Sequence, residues 1–457
     1  MKKYHKKILV LTLCAAPTWV FATNGMNLEG FGATARGMGG ASMAYDNGLA
    51  AMMNNPSTLG FLEEGKQRVD LGLGFLAPNV KSSIGGMSSK SSADKFWMMP
   101  AGMGWAAKQN GYTYGVGLFA QGGMGTEYDS TPLGLGAGTT RSEVGVGRLI
   151  FPLVYDLDPQ LKLGASLDVI WATMDLQMAM TGQMLGSMMQ RGAGMAIAAP
   201  GEATGSLTQA MGSMGINPSW ARFDFSNNSD FLGEAKGAGL TGKLGAVYQI
   251  NKELSLGVTY HLKSYMSDLS TSNAKLSMNV GGNVQTLTGD LKLKNFEWPD
   301  TYGIGISYRP TDRLMLAADI KQIRWSKVMD SFNMGFTASN AAENGPFAGK
   351  TLDAKLYQNW DDQTVYSLGA SYRLDDKWTA RVGANLANNP IPSSTLNFLF
   401  PATIKNHYSV GAGYDLSKNQ SINAAFIYAP TVDQTSASGV TTSHSQINWE
   451  IMYSQRF

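Results

Sequence analysis

Along much of this chain apolar and polar residues alternate one by one. Leu254, Leu256, Val258, Tyr260 and Leu262 are separated by Ser255, Gly257, Thr259 and His261. Successive side chains of an extended strand point to opposite faces, so this period sets an oily face against a different one. The pattern returns at Tyr302, Ile304, Ile306 and Tyr308, and at Tyr366, Leu368, Ala370 and Tyr372. It returns again at Tyr408, Val410, Ala412 and Tyr414, and in Ile447, Trp449, Ile451 and Tyr453. Such repetition predicts an all-β chain.

A soluble sandwich would also alternate, and the tyrosines separate it from a membrane barrel. Tyr155, Tyr248, Tyr308, Tyr372 and Tyr414 each stand three residues before a polar turn, opened by Asp158, Asn251, Thr311, Asp375 and Ser417. Tyrosine at one height above every turn is an aromatic girdle at a membrane interface. With the turn at Gln109-Asn110-Gly111 there are six short turns, which join twelve strands; one strand before and one after make fourteen. The expectation is a transmembrane antiparallel 14-stranded β-barrel with short turns toward the periplasm. Longer connections, near 123–141, 181–232, 269–297 and 333–354, belong to the outer rim.

Composition agrees. Charged residues are 15%, glycines number 54, and mean hydropathy is −0.13, too polar for a bundle of membrane helices. Lys2, Lys3, Lys6 and Lys7 precede an apolar run from Ile8 to Ala16, which is too short to span a bilayer. Val20-Phe21-Ala22 supplies small residues for cleavage, so 1–22 reads as a signal peptide. Cys14, the single cysteine, leaves with it. Removing four lysines from 36 basic residues leaves 32 against 34 acids, a balance that argues against nucleic acid as a partner.

Two stretches break the strand rhythm. Residues 23–65 are rich in small residues and precede the barrel at 66–457; they read as a plug inside the lumen. The loop 183–214 carries Met184, Met188, Met189, Met195, Met211 and Met214, either a soft apolar entrance or ordinary packing.

Catalytic signatures are sparse. Beyond the signal the histidines are His261, His407 and His444, and no nucleophile elbow, phosphate loop or cysteine–histidine metal motif accompanies them. No cofactor or metal is expected. If the girdle tyrosines face lipid, the inward set includes Arg148, Ile150, Val154, Asp168, Ile170, Lys243, Val247, Lys321, Ile323, Arg381 and Glu450. Greasy walls with isolated charges suit an amphiphile better than the wet eyelet of a diffusion porin.

The chain resembles the FadL/TodX family of outer-membrane transporters over nearly its whole mature length. Tyr45-Asp46-Asn47 through Asn55-Pro56-Ser57 is similar to the family's hatch and its Asn-Pro-Ala motif, with serine for alanine. Gly122-Gly123-Met124-Gly125-Thr126-Glu127-Tyr128 resembles the end of the third strand, where an inward kink opens the wall. Trp360-Asp361-Asp362, Tyr366 to Trp378 and Asn389-Pro390-Ile391-Pro392 resemble the late hairpin and its loop. Phe457 resembles the terminal aromatic read by the barrel-assembly machinery.

The resemblance implies passive uptake of long-chain fatty acids or aromatic hydrocarbons by a monomer in outer-membrane lipid and lipopolysaccharide. The substrate would be caught at the loops, held above the hatch (Asn55, Pro56, Ser57), and released sideways past Gly122, Gly123 and Gly125. Lateral release avoids water, which costs roughly 0.8 kcal/mol per exposed CH₂. Arg148, Lys243, Lys321 and Arg381 are candidate contacts for a carboxylate head group. A lipid-hydrolysing outer-membrane enzyme and a structural or adhesion barrel are the alternatives.

Overall fold

A computed structural model describes residues 24–93, 97–129, 138–190, 194–196, 199–229 and 232–457. The expected signal, 1–22, lies outside them. Each short turn is built by the residue that opens it. The Asp158 carboxylate accepts from the amides of Gln160 and Leu161, and Asn251 does the same for Glu253 and Leu254. Thr311 serves Arg313 and Leu314, and Asp375 serves Lys377 and Trp378. These short side chains satisfy amides that the reversing chain takes out of its ladder. Asn110 and Gly111 both have positive φ, 54° and 76°, as a two-residue hairpin turn requires.

The strands joined by these turns close on themselves. In chain order they are β1 (Gln67–Ile84), β2 (Trp97–Gln109), β3 (Tyr112–Tyr128), β4 (Thr140–Asp156), β5 (Leu161–Thr181), β6 (Ala235–Gln249) and β7 (Leu254–His261). There follow β8 (Thr301–Tyr308), β9 (Leu314–Ile323), β10 (Gln363–Arg373), β11 (Trp378–Ala387), β12 (Asn406–Ser417), β13 (Gln420–Thr435) and β14 (Thr441–Arg456). Each pairs antiparallel with its neighbour in this order. The last pairs with the first, from Arg68↔Arg456 to Ser83↔Thr441, so the circuit is an all-β closed barrel. Among the described residues no helix is long and apolar enough to cross a membrane.

The fourteen strands expected from the turns fall short of the sheet, which has 23 strands among the described residues. Connections expected as outer loops are themselves strands joined to the wall. Leu269–Val280 pairs with Asn283–Lys294, which pairs with Ser331–Ala338, then Thr351–Tyr357, then Ala199–Thr204. Turn counting overlooks them because it samples only the rim with tight turns.

The outward face is the oily one. Leu71, Leu73, Leu167, Leu244, Ile304, Leu368, Val382 and Val410 are each about half exposed. In water so broad an apolar belt would drive aggregation; in lipid each aliphatic side chain contributes roughly 1.5–3 kcal/mol. Tyr155, Tyr248, Tyr308 and Tyr372 stand exposed above their turns, and Tyr414 packs on Trp378 with ring centroids 4.7 Å apart. On the opposite side the extra strands enclose a large apolar cluster with Phe223, Phe225, Phe296, Phe336, Trp298 and Trp325.

Residues 24–61 are almost wholly buried. They touch the buried faces of strands spread round the circuit: Met26 meets Gly122 of β3, Ser57 meets Gly164 of β5, Met43 meets Gly257 of β7, and Met38 meets Gly369 of β10. A side chain at any of these glycines would overlap the segment's backbone, so glycine in the wall is what lets the two main chains meet.

Candidate substrate path

Among the described residues the wall is not strand-paired throughout. Pairing between β2 and β3 runs from Gln109↔Tyr112 to Met103↔Leu118 and stops there, although β3 continues to Tyr128. Beyond Leu118 the one circuit strand that β3 pairs with among the described residues is β4, and between Ala120 and Gly122 its register shifts by one residue; near the rim the Ser92 amide donates to the Glu127 carbonyl at 2.7 Å. Such a bulge bends a strand and turns its edge. Two neighbouring strands thus part along one stretch of wall. Gly122, Gly123 and Gly125 lie on the β3 side of that gap, opposite Val146, Gly145 and Glu143 of β4.

The start of the buried segment lies against this gap. Asn27 bridges Gly122, and the Gly123 amide donates to the Met26 carbonyl at 2.9 Å. Gln121 Nε2 and Trp298 Nε1 both donate to Asn27 Oδ1, at 2.6 and 3.0 Å. The Gly122 position has no room for a Cβ beside the Met26 carbonyl. Gln121 and Trp298 were absent from the sequence expectations. Strand parity with Thr113 and Phe119 turns Gln121 inward, a signal that could have found it, and Trp298 falls between the expected loop 269–297 and the strand read from Tyr302.

Behind this contact is a cavity of about 40 Å³, lined by Asn24, Leu28, Phe31, Arg148, His261, Trp298 and Lys321 among others. Pockets for small organic ligands run to roughly 300–1,000 Å³, so the observed chamber holds little more than a water molecule. One wall of it is the segment itself, so displacing residues 24–31 would enlarge it.

The four candidate cations separate. Arg148 Nη1 lies 2.9 Å from Asp168 Oδ2, and Lys243 Nζ bonds the same oxygen. Two cations sharing one buried carboxylate leave an excess positive charge beside the cavity. Arg148 also lines the cavity, and its Nε has no partner. Lys321 lines it too, and donates to the Gly40 carbonyl at 3.2 Å. Arg381 sits elsewhere, beside Gly411 and Gly413 of β12, with Nε and Nη1 unpartnered.

Asn55, Pro56 and Ser57, expected at the gate, are buried, and Asn55 and Ser57 are hydrogen-bonded. Asn55 Nδ2 donates to the Met43 carbonyl at 2.8 Å, and its Oδ1 accepts from both the amide and the hydroxyl of Ser57. That hydroxyl, present because serine replaces alanine, closes a local ring. The neighbouring Asn54 carbonyl bonds His261 Nε2 at 2.9 Å.

The methionine loop is divided. Helices Gly182–Met189 and Ser206–Ser213 bury Met188 and Met211 in the large apolar cluster, while Met214 is 48% exposed. Of the histidines, His261 and His444 bond backbone carbonyls, those of Asn54 and Pro401.

Comparison with known proteins places the chain. The family model described as outer membrane protein transport protein (OMPP1/FadL/TodX) matches residues 14–454. The crystal structure of the P. putida toluene transporter TodX is similar, with 30% identity and a TM-score of 0.80, covering 94% of this chain and 99% of that one. The Ralstonia pickettii toluene transporter TbuX is similar at 30% identity and a TM-score of 0.76, covering 94% and 99%. Outer membrane protein P1 of Haemophilus influenzae is 28% identical over 40% of this chain and 36% of its own length. The chain spans less than half the length of the first curated relatives it matches, 46% and 36%. The closed barrel, its lipid-facing belt and the match over nearly all the chain make this an outer-membrane β-barrel of a Gram-negative bacterium, a member of the OMPP1/FadL/TodX family of outer membrane transport proteins.

Proposed function

We propose that the protein admits hydrophobic compounds, aromatic hydrocarbons or long-chain fatty acids, by passive diffusion, with residues 23–65 as a hatch in the lumen and the gap between β2 and β3 as a lateral exit. The observation that carries this reading is the parted wall at Gly122, occupied by the start of the buried segment. The likeness to two toluene transporters favours aromatic hydrocarbons. Residues 24–31 are the moving part, and Asn55-Pro56-Ser57 the anchor from which they swing. A substrate can select the moved arrangement only by binding it more tightly, and a cavity too small for ligand in the resting state supplies that difference.

A pair of tethers tests the gate. Cysteines at Asn27 and Gln121, joined by a short thiol-specific linker, should stop uptake of labelled toluene by whole cells until the linker is reduced. A tether from Ser57→Cys to the adjoining β5 should leave the rate unchanged. Normal uptake with the first tether in place would overturn the hatch.

If the substrate is an acid, Arg148 meets its carboxylate, with Lys321 across the cavity; Lys243 reinforces the charge, and Arg381 is reserved for a later position. A charge-assisted contact is worth roughly 1.5–3 kcal/mol. Arg148→Ala should therefore weaken oleate binding while sparing toluene, and equal losses for both would indicate structural damage. Phe457, exposed at the end of the closing strand, is the feature by which the barrel-assembly machinery would recognise the chain. The protein works as a monomer in outer-membrane lipid and lipopolysaccharide.

A further inference from the structure

The buried face of β14 is polar along most of its length. His444, Gln446, Asn448 and Glu450 are successive buried positions of the strand, each at most 5% exposed. At a rise of about 3.3 Å per residue they span roughly 20 Å. The pairing register brings His407 of β12 level with Gln446, across Ala429 of β13. Ala425 lies level with Glu450 and packs on Ala33 of the buried segment, so an apolar contact borders the polar stripe at that end. Facing them is the buried segment, whose Arg36 donates to Glu29 at 2.7 Å and to Glu450 at 3.0 Å.

These groups do not satisfy one another. Both ring nitrogens of His407, Nε2 of His444, Oε1 of Gln446, Nδ2 of Asn448, Oε1 of Glu450 and Nη2 of Arg36 are buried and lack a hydrogen-bond partner. The bonds that do form, Gln446 to Asn448 at 2.7 Å and His444 Nδ1 to the Pro401 carbonyl at 2.8 Å, use other atoms of the same groups. One orphaned atom in a barrel is unremarkable. Six residues with orphaned atoms, donors and acceptors alike, along a single stripe need a mobile species that both donates and accepts. An apolar substrate cannot serve, and a metal ion cannot bond the donors of Arg36 and Asn448.

We propose that this stripe binds a file of water molecules running along β14 between the wall and the buried segment, and that the file gives small ions a route separate from the apolar path. The polar stripe and the β3 gap are then two lanes of one barrel, hydrated and oily. The separation follows from solvation: a hydrocarbon entering the stripe would strip water from several buried polar groups at once.

X-ray hydroxyl-radical footprinting of the folded protein in detergent tests the file directly, because bound water yields radicals beside otherwise inaccessible side chains. His407 and His444 should be labelled at least tenfold faster than the equally buried Phe398 and Met211. Equal, slow labelling would overturn the proposal. In planar bilayers the protein should carry a small KCl conductance, reduced at least threefold by Asn448→Leu, with hydrocarbon uptake kept. No conductance above bare lipid in the native protein, or an unchanged one in a folded N448L, would overturn the ion route. Because the footprinting needs no variant, a failure of N448L to fold leaves the file itself open to refutation.

Discussion

At the scale of single residues, wall and segment are matched atom by atom. Gly122 is glycine because the Met26 carbonyl occupies the place of its side chain. Gly122→Leu should force residues 24–28 from the gap and put a bulky group into it. Uptake should fall about tenfold, equivalent to about 1.4 kcal/mol of barrier, while binding at the outer loops persists. Uptake by cells and equilibrium binding to purified protein, measured side by side, check this; equal losses would mean capture had been damaged too. Asp168 is the other critical position. Among the described residues it is the one carboxylate that pairs with both the buried Arg148 and Lys243. Asp168→Asn leaves two buried cations without their shared counter-charge, and should cost about 3–5 kcal/mol in barrel stability. Guanidinium unfolding in detergent, followed by tryptophan fluorescence, reads the loss.

At the scale of elements, the extra strands and two helices of the outer side form a unit built on the barrel rather than into it. Segment 183–214 joins the rest through Ala199–Thr204 against Thr351–Tyr357 and through the burial of Leu185, Met188, Leu207 and Met211. None of the pairings that close the circuit uses it. Deleting 183–214 should therefore keep the heat-dependent gel shift of a folded barrel while slowing hydrocarbon uptake, because the apolar cluster loses part of its cover. Uptake at the normal rate would return these methionines to plain packing. The same reasoning separates β3 from its neighbours: it is firmly laddered to β4 over its length, and joined to β2 only over its lower half.

At the scale of the whole molecule, the closed circuit and the parted seam are complementary. A barrel crossing lipid must pair its backbone groups internally, and here the circuit does so almost everywhere. Among the described residues a long departure, at β2–β3, coincides with the front of the buried segment, whose Gly123–Met26 bond lies along it. Under the proposed function, closure of the seam falls to the buried segment, and its displacement would open the wall.

Alternation, the girdle tyrosines and the turn-opening residues were legible in the linear chain, because each depends on contacts within a few residues: Asp375 can organise its turn with no help from elsewhere. The inward orientation of Arg148, Asp168, Lys243 and Glu450 was legible too, since strand parity fixes it. What the linear chain could not show is which inward groups meet. Arg36 reaches Glu450 across 414 positions, and the pairing of Arg148 and Lys243 on one oxygen depends on the register of three strands. The bulge at Ala120–Gly122 shifts parity locally: Gln121 continues the inward parity of Thr113 and Phe119, and Gly122 after it faces inward too, against the alternation before it. Of the extra strands, Ser331–Ala338 and Ala199–Thr204 find partners in distant loops, whereas Leu269–Val280 and Asn283–Lys294 form a local hairpin about Gly281-Gly282 inside a stretch read as loop. Local sequence determines strands, turns and the face turned to lipid through short-range sterics and solvation; the seam, the cavity and the polar stripe exist only once distant strands close into a ring and enclose the same volume.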